Sequence, residues 1–148
     1  MNIGAALELP LVVVELQGAE AEVEARAALR LSAGTPTIQT WPLGWLARAL
    51  VALGRAEEGL GYAEQALLSL KTVGGFTMDV SVPQLAQLEA LLALGRTAEA
   101  REAAATGRRR LLRRAERLSD PVWQARLLAH PENAQFLAYD AAEPGRAE

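Results

Sequence analysis

His130 is the only histidine in this chain of 148 residues, and cysteine is absent. The usual imidazole and thiolate pairings of nucleophilic catalysis therefore have almost no members. Ser32, Ser69, Ser81 and Ser119 stand outside any nucleophile-elbow context and lack a plausible histidine partner. A transition-metal site would have to rely on carboxylates, and His130, directly before Pro131, occupies a position biased to extended backbone. Glu57 and Glu58 fall at a helix start, where the dipole favours negative charge, so general acid-base work is not needed to explain them. These residues predict a protein that is not an enzyme and carries neither metal nor cofactor.

Charge is the more informative feature. Arg108, Arg109, Arg110, Arg113, Arg114 and Arg117 crowd one short stretch, whereas Glu8, Glu15, Glu20, Glu22 and Glu24 crowd the start of a chain whose formal net charge is -3. On a helix through this stretch, Ala104, Gly107, Leu111, Ala115 and Leu118 mark an inward stripe and leave Arg110, Arg113, Arg114 and Arg117 mostly outward. Such a strip can meet nucleic-acid phosphates or an acidic protein surface, or remain solvated with local ion pairs. The lack of interleaved aromatics and the acidic overall balance disfavour nucleic acid.

The elements that must position these side chains are helices. Hydrophobic residues make up 51% of the chain but aromatics only 5%, because alanine and leucine fill most apolar positions. An apolar run, a Leu-Gly-Arg turn and an alanine-rich run occur at Ala49 to Ala63 and again at Ala90 to Ala104, about 41 residues apart. Aligned turn glycines, Gly18, Gly54 and Gly95, predict helical pairs over about 3–31, 41–73 and 79–118, with the first pair bending at Gly18. Pro10 inside the first helix implies a kink or a late start there. Val12, Val13 and Val14 also permit a strand. Ser32 to Thr40 reads as a loop, Gly74 to Thr77 as another that carries Phe76, and Asp79 as an N-cap. Pro121 and Pro131 each suit the first position of a short capping helix within about 120–140, and 141–148 reads as a flexible tail.

The pattern Leu46, Ala47, Leu50, Gly54, Gly59, Ala63, Ala66, and more loosely Leu88, Leu91, Gly95, Ala100, Ala104, Gly107, resembles the tetratricopeptide repeat, a helical hairpin of about 34 residues. The period is stretched, and the proline that usually closes a unit is missing after Leu70. Arg110 to Asp140, through Asp120, Pro121, Trp123, Pro131, Glu132, Asn133 and Leu137, resembles the close of degenerate repeat arrays in large bacterial signalling ATPases, serine/threonine kinases and related regulators. No phosphate-binding loop, kinase motif or DNA-reading helix pair accompanies it. The resemblance implies an all-α, right-handed α-solenoid of about three such hairpins plus two capping helices. It implies a protein- or peptide-binding module in bacterial signalling, with small-molecule sensing as an alternative class.

In repeats of this kind one stripe of each first helix faces the concave side. Positions three, six, ten and thirteen before the turn glycine make Glu8, Glu15, Trp41, Arg48 and Glu89 the candidates for partner contact, unless the chain's own helices fill the groove. Trp41, Trp45 and Trp123 read as packing anchors. Leu9, Leu11, Val12, Val13, Val14 and Leu16 surround the first helix with apolar side chains, which suggests a homodimer or a neighbour covering it. The run from Leu9 to Leu16 is too short to span a bilayer and lacks a basic leader, so a cytoplasmic location without membrane attachment is expected.

Overall fold

The computed structural model describes the fold of residues 3–72 and 80–141, with side-chain surroundings from Gln17 to Thr72 and from Val80 to Tyr139. Within these residues the chain is all-α: α1 (Ile3–Leu31), α2 (Pro36–Ala52), α3 (Ala56–Thr72), α4 (Ser81–Ala93), α5 (Thr97–Glu116), α6 (Pro121–Ala129) and α7 (Pro131–Ala141). None of the described helices is long and apolar enough to cross a membrane. Asp79, Phe76 and the segment 142–148 lie outside the described residues.

The Leu-Gly-Arg turn ends two helices in the same way. Gly54 and Gly95 take φ of +80° and +71°, a region that a side chain disfavours. The next amide then reaches back to the third-last turn residue: Arg55 N–H donates to the Leu50 carbonyl at 2.8 Å and Arg96 N–H to that of Leu91 at 3.0 Å. With Gly54 N–H to Val51 and Gly95 N–H to Leu92, these bonds satisfy carbonyls that a helix end would otherwise orphan. Each following arginine also bridges the glutamate three residues on, Arg55 to Glu58 at 2.7 Å and Arg96 to Glu99 at 2.6 Å.

Gly18 behaves differently and corrects the expected first hairpin. It lies inside α1, which runs unbroken through Pro10 and Val12–Val14, so neither a bend nor a strand forms there. A Cβ at Gly18 would sit 3.3 Å from Leu53, so the glycine permits close approach of α1 to the end of α2 rather than reversing the chain. The second correction concerns α2, which begins at Pro36 and not Trp41. Proline suits the first helical turn because its missing amide proton has no partner to lose there. At α4, Val80 occupies the N-cap position without a side-chain bond.

Packing follows a regular order. α2 contacts α1, α3 and α4; α4 contacts α2, α3, α5 and α7; α5 contacts α4, α6 and α7. Small residues allow this: Ala47, Ala63 and Ala86 meet where α2, α3 and α4 converge, all fully buried. Leu60, Leu85, Leu88, Leu91 and Phe136 fill the next layer. Phe136 of α7 is 2% exposed and rests on Gly107 of α5, where a Cβ would collide with its ring. Asn133 anchors the same helix by donating from Nδ2 to the Leu127 carbonyl at 2.9 Å. Asp120 caps α6, its side chain accepting from Val122 N–H at 2.8 Å.

Candidate functional site

On α2, Thr40, Leu43, Gly44, Ala47 and Leu50 turn inward, which leaves Ile38, Trp41 and Trp45 on the opposite face at helical spacing. Their exposures are 58%, 51% and 38%, large for side chains of this size in a chain with few aromatics. Alongside runs α1, whose Ala21, Ala25 and Ala28 present methyl groups at steps of four and three residues. Bulky indoles on one helix and alanines on the other leave a groove between them. Its volume is about 420 Å³, lined by Ala21, Glu24, Ala25, Ala28, Trp41, Pro42 and Trp45. A neighbouring depression of about 340 Å³, lined by Ala19, Glu20, Val23 and Glu24, continues along α1. The floor is apolar and its charged members are carboxylates.

Beyond Trp45 the surface changes character. The Arg48 guanidinium lies 5.6 Å from the Trp45 ring centre, a cation–π geometry. Its Nε donates to Glu89 Oε1 at 2.7 Å, and Nη1 lies 3.9 Å from Glu132 Oε1. Glu132 in turn meets His130 through Nδ1. One network thus ties α2, α4 and the start of α7 together, with Arg48, Glu89 and Glu132 all partly shielded from water. Satisfied in this way, Arg48 and Glu89 act first as cross-ties between helices.

The five residues singled out for partner contact therefore separate. Trp41 lines the groove; Arg48 and Glu89 bond to each other; the side chains of Glu8 and Glu15, like the apolar ones from Leu9 to Leu16, lie outside the described surroundings. Arg110, Arg113 and Arg114 are exposed on α5 and Arg117 at its C-cap, as the inward stripe of Ala104, Gly107, Leu111 and Ala115 requires. The expectation that tryptophans plug the core is corrected: Trp123 is 57% exposed with Arg126 stacked 5.1 Å from its ring, and among the described residues the buried aromatic is Phe136. Alanine and leucine helices pack too closely to admit an indole, whereas one phenyl ring fits over Gly107.

Glu24, the three alanines of α1 and Pro42 escape sequence reasoning because helical spacing puts groove residues on one stripe of the first helix of each pair. Ala21, Ala25 and Ala28 follow Gly18, on what reads as a second helix, and Pro42 lies off the stripe. Elsewhere, Glu22 pairs with Arg55 at 2.7 Å on the surface, and the Glu58 and Glu22 carboxylates hold the Arg55 guanidinium above its ordinary pKa. Comparison of the chain with protein-family models, curated proteins and solved structures finds no match.

Proposed function

We propose that this protein is a non-catalytic scaffold, a right-handed stack of tetratricopeptide-like units that binds a protein or peptide segment as a regulatory module of bacterial signalling in the cytoplasm. The observation that carries the reading is the groove of about 420 Å³ flanked by half-exposed Trp41 and Trp45. Two indoles left half in water at one place retain apolar area for a partner to cover, and tryptophans at such positions commonly dominate interface energetics. Each 100 Å² of that area covered contributes on the order of 2.5 kcal/mol before the costs of association. Alanines keep the opposite wall low, so an extended or helical segment can lie along it. The carboxylates of Glu20 and Glu24 favour an occupant that pairs a bulky apolar side chain with lysine or arginine.

The order of helix contacts supports the stacked-unit part of this reading. α2, α4 and α7 follow one another along one row, and α3 and α5 pack behind it, as a repeating hairpin requires. The test is selection of peptides from a displayed library against the intact chain, followed by titration monitored by intrinsic tryptophan fluorescence. Peptides with a basic and a bulky apolar residue should be recovered, and Trp41→Ala should weaken their binding by about 10-fold or more. Recovery of no binder, or equal affinity for Trp41→Ala and the parent chain, rejects the reading.

A further inference from the structure

α1 and α5, which do not touch each other among the described residues, carry opposite charge on their outward faces. Of the two, α1 packs against α2 and turns Glu20 and Glu24 outward, four residues apart, beside exposed Ala19 and Val23. Glu22, on the other side of α1, is already bound to Arg55 and Arg26. α5 packs against α4, α6 and α7, and its outward face holds Arg109 and Arg113, also four residues apart, with Arg110 and the C-cap residue Arg117. At 100° per residue these four guanidinia fall within an arc of about 100° and span about 12 Å of helix. Exposed Ala105 and Leu112 run beside them, as Ala19 and Val23 run beside the glutamates. Arg109 donates to Thr106 Oγ1 at 3.3 Å and Arg113 to the Arg109 carbonyl at 3.5 Å, neutral oxygens that leave both charges uncompensated by those bonds.

α1 and α5 share no packing partner among the described residues, so within one molecule these faces stay apart. Between two molecules they can meet. We propose that the protein assembles head to tail, with α1 of one copy packed along α5 of the next, Glu20 and Glu24 facing the Arg109–Arg113 strip and the small apolar rows in contact between them. Because the two faces differ, the contact is heterologous, and where no ring closes it leaves a free α1 and a free α5 at the termini of the assembly. Growth does not stop at two copies. The contact shares Glu20 and Glu24 with the lining of the Trp41 groove and its continuation, so a segment bound there competes with assembly, but Trp41 itself takes no part: Trp41→Ala should weaken segment binding and leave self-association unchanged.

Sedimentation velocity and light scattering on the intact chain test it. At about 50 mM salt the mean mass should rise with concentration above the 15.8 kDa monomer and past twice that value, then fall toward the monomer at about 0.5 M salt as screening shortens. Arg109→Glu with Arg113→Glu should give a monomer, as should Glu20→Arg with Glu24→Arg, each retaining helical circular dichroism because all four side chains are exposed. The two double variants mixed in equal amounts should reassemble, because each then offers the other both complementary faces. Four results would overturn the proposal: a parent chain monomeric at every concentration, a dimer insensitive to the α5 variant, no reassembly on mixing, or an α5 variant whose one defect is loss of salt-sensitive oligonucleotide binding.

Discussion

The hairpin α2–α3 and the hairpin α4–α5 are built on the same turn, yet they use the small residues that follow it for different neighbours. Five residues after the turn glycine stands Gly59 in the first and Ala100 in the second. At Gly59 a Cβ would lie 2.8 Å from the Ala47 carbonyl oxygen and 2.9 Å from the Val51 side chain, whereas Ala100 carries its methyl group fully buried. Twelve residues after the turn the order reverses: Ala66 is fully buried in the first unit, and Gly107 makes room for Phe136 in the second. Identical turns fix where each hairpin reverses. The size of the following residues decides what packs there, α2 against α3 in the first hairpin or α7 against α5 in the second.

Breaking the second unit's arrangement should have the largest effect. Phe136→Ala removes a ring that is 2% exposed and should cost about 3–5 kcal/mol in urea unfolding, with α7 losing its hold on α5. The first unit should respond next. Gly59→Ala presses a methyl group onto a backbone oxygen that cannot rotate away, and overpacking of this kind costs about 1–3 kcal/mol, partly offset by alanine's better helix propensity. A smaller loss is expected from Arg48→Ala, which cuts the tie between the two units. Its side chain and that of Glu89 remain 24% and 29% exposed, so solvent screening limits the loss to about 1 kcal/mol, and Arg48→Ala with Glu89→Ala should cost less than the sum of the singles. Gly61→Ala sharpens the comparison from the other side. With nothing within 4 Å of the added carbon, it should stabilise the first unit by about 0.5–1 kcal/mol, seen as a higher urea midpoint.

Much of this architecture is legible in the chain because a few residues have one structural use. Gly54 and Gly95, each between a periodic apolar run and an alanine-rich one, announce helix ends, and both adopt the positive φ that only the absence of a side chain makes cheap. Pro121 and Pro131 mark the starts of α6 and α7 for a comparably direct reason. Gly18 misleads because glycine serves close approach as well as chain reversal, and only the position of Leu53 tells the two apart. Pro36 has the same ambiguity between loop and first helical turn.

The candidate site is less legible than the fold. Helical spacing places Trp41, Arg48 and Glu89 toward one side, but spacing carries no information about whether two such residues bond each other across helices. Pairing depends on how closely α2 approaches α4, which Gly44 sets by meeting Val82 and Pro83 at distances where a Cβ would have about 3.1–3.2 Å. Nor does composition mark Phe136 as a buried aromatic while three tryptophans remain half in water. That outcome follows from a space at Gly107 that exists after the helices have packed.

The most direct test of the seating of α7 on α5 is a double-mutant cycle between Gly107 and Phe136, read by equilibrium urea unfolding. With Phe136 present, Gly107→Ala should destabilise by about 1–3 kcal/mol, because its methyl group meets a ring that has nowhere to go. In the Phe136→Ala background the same change should be neutral or stabilising, since the collision is gone and alanine favours the helix. An equal cost in both backgrounds would contradict the seating of α7 on α5.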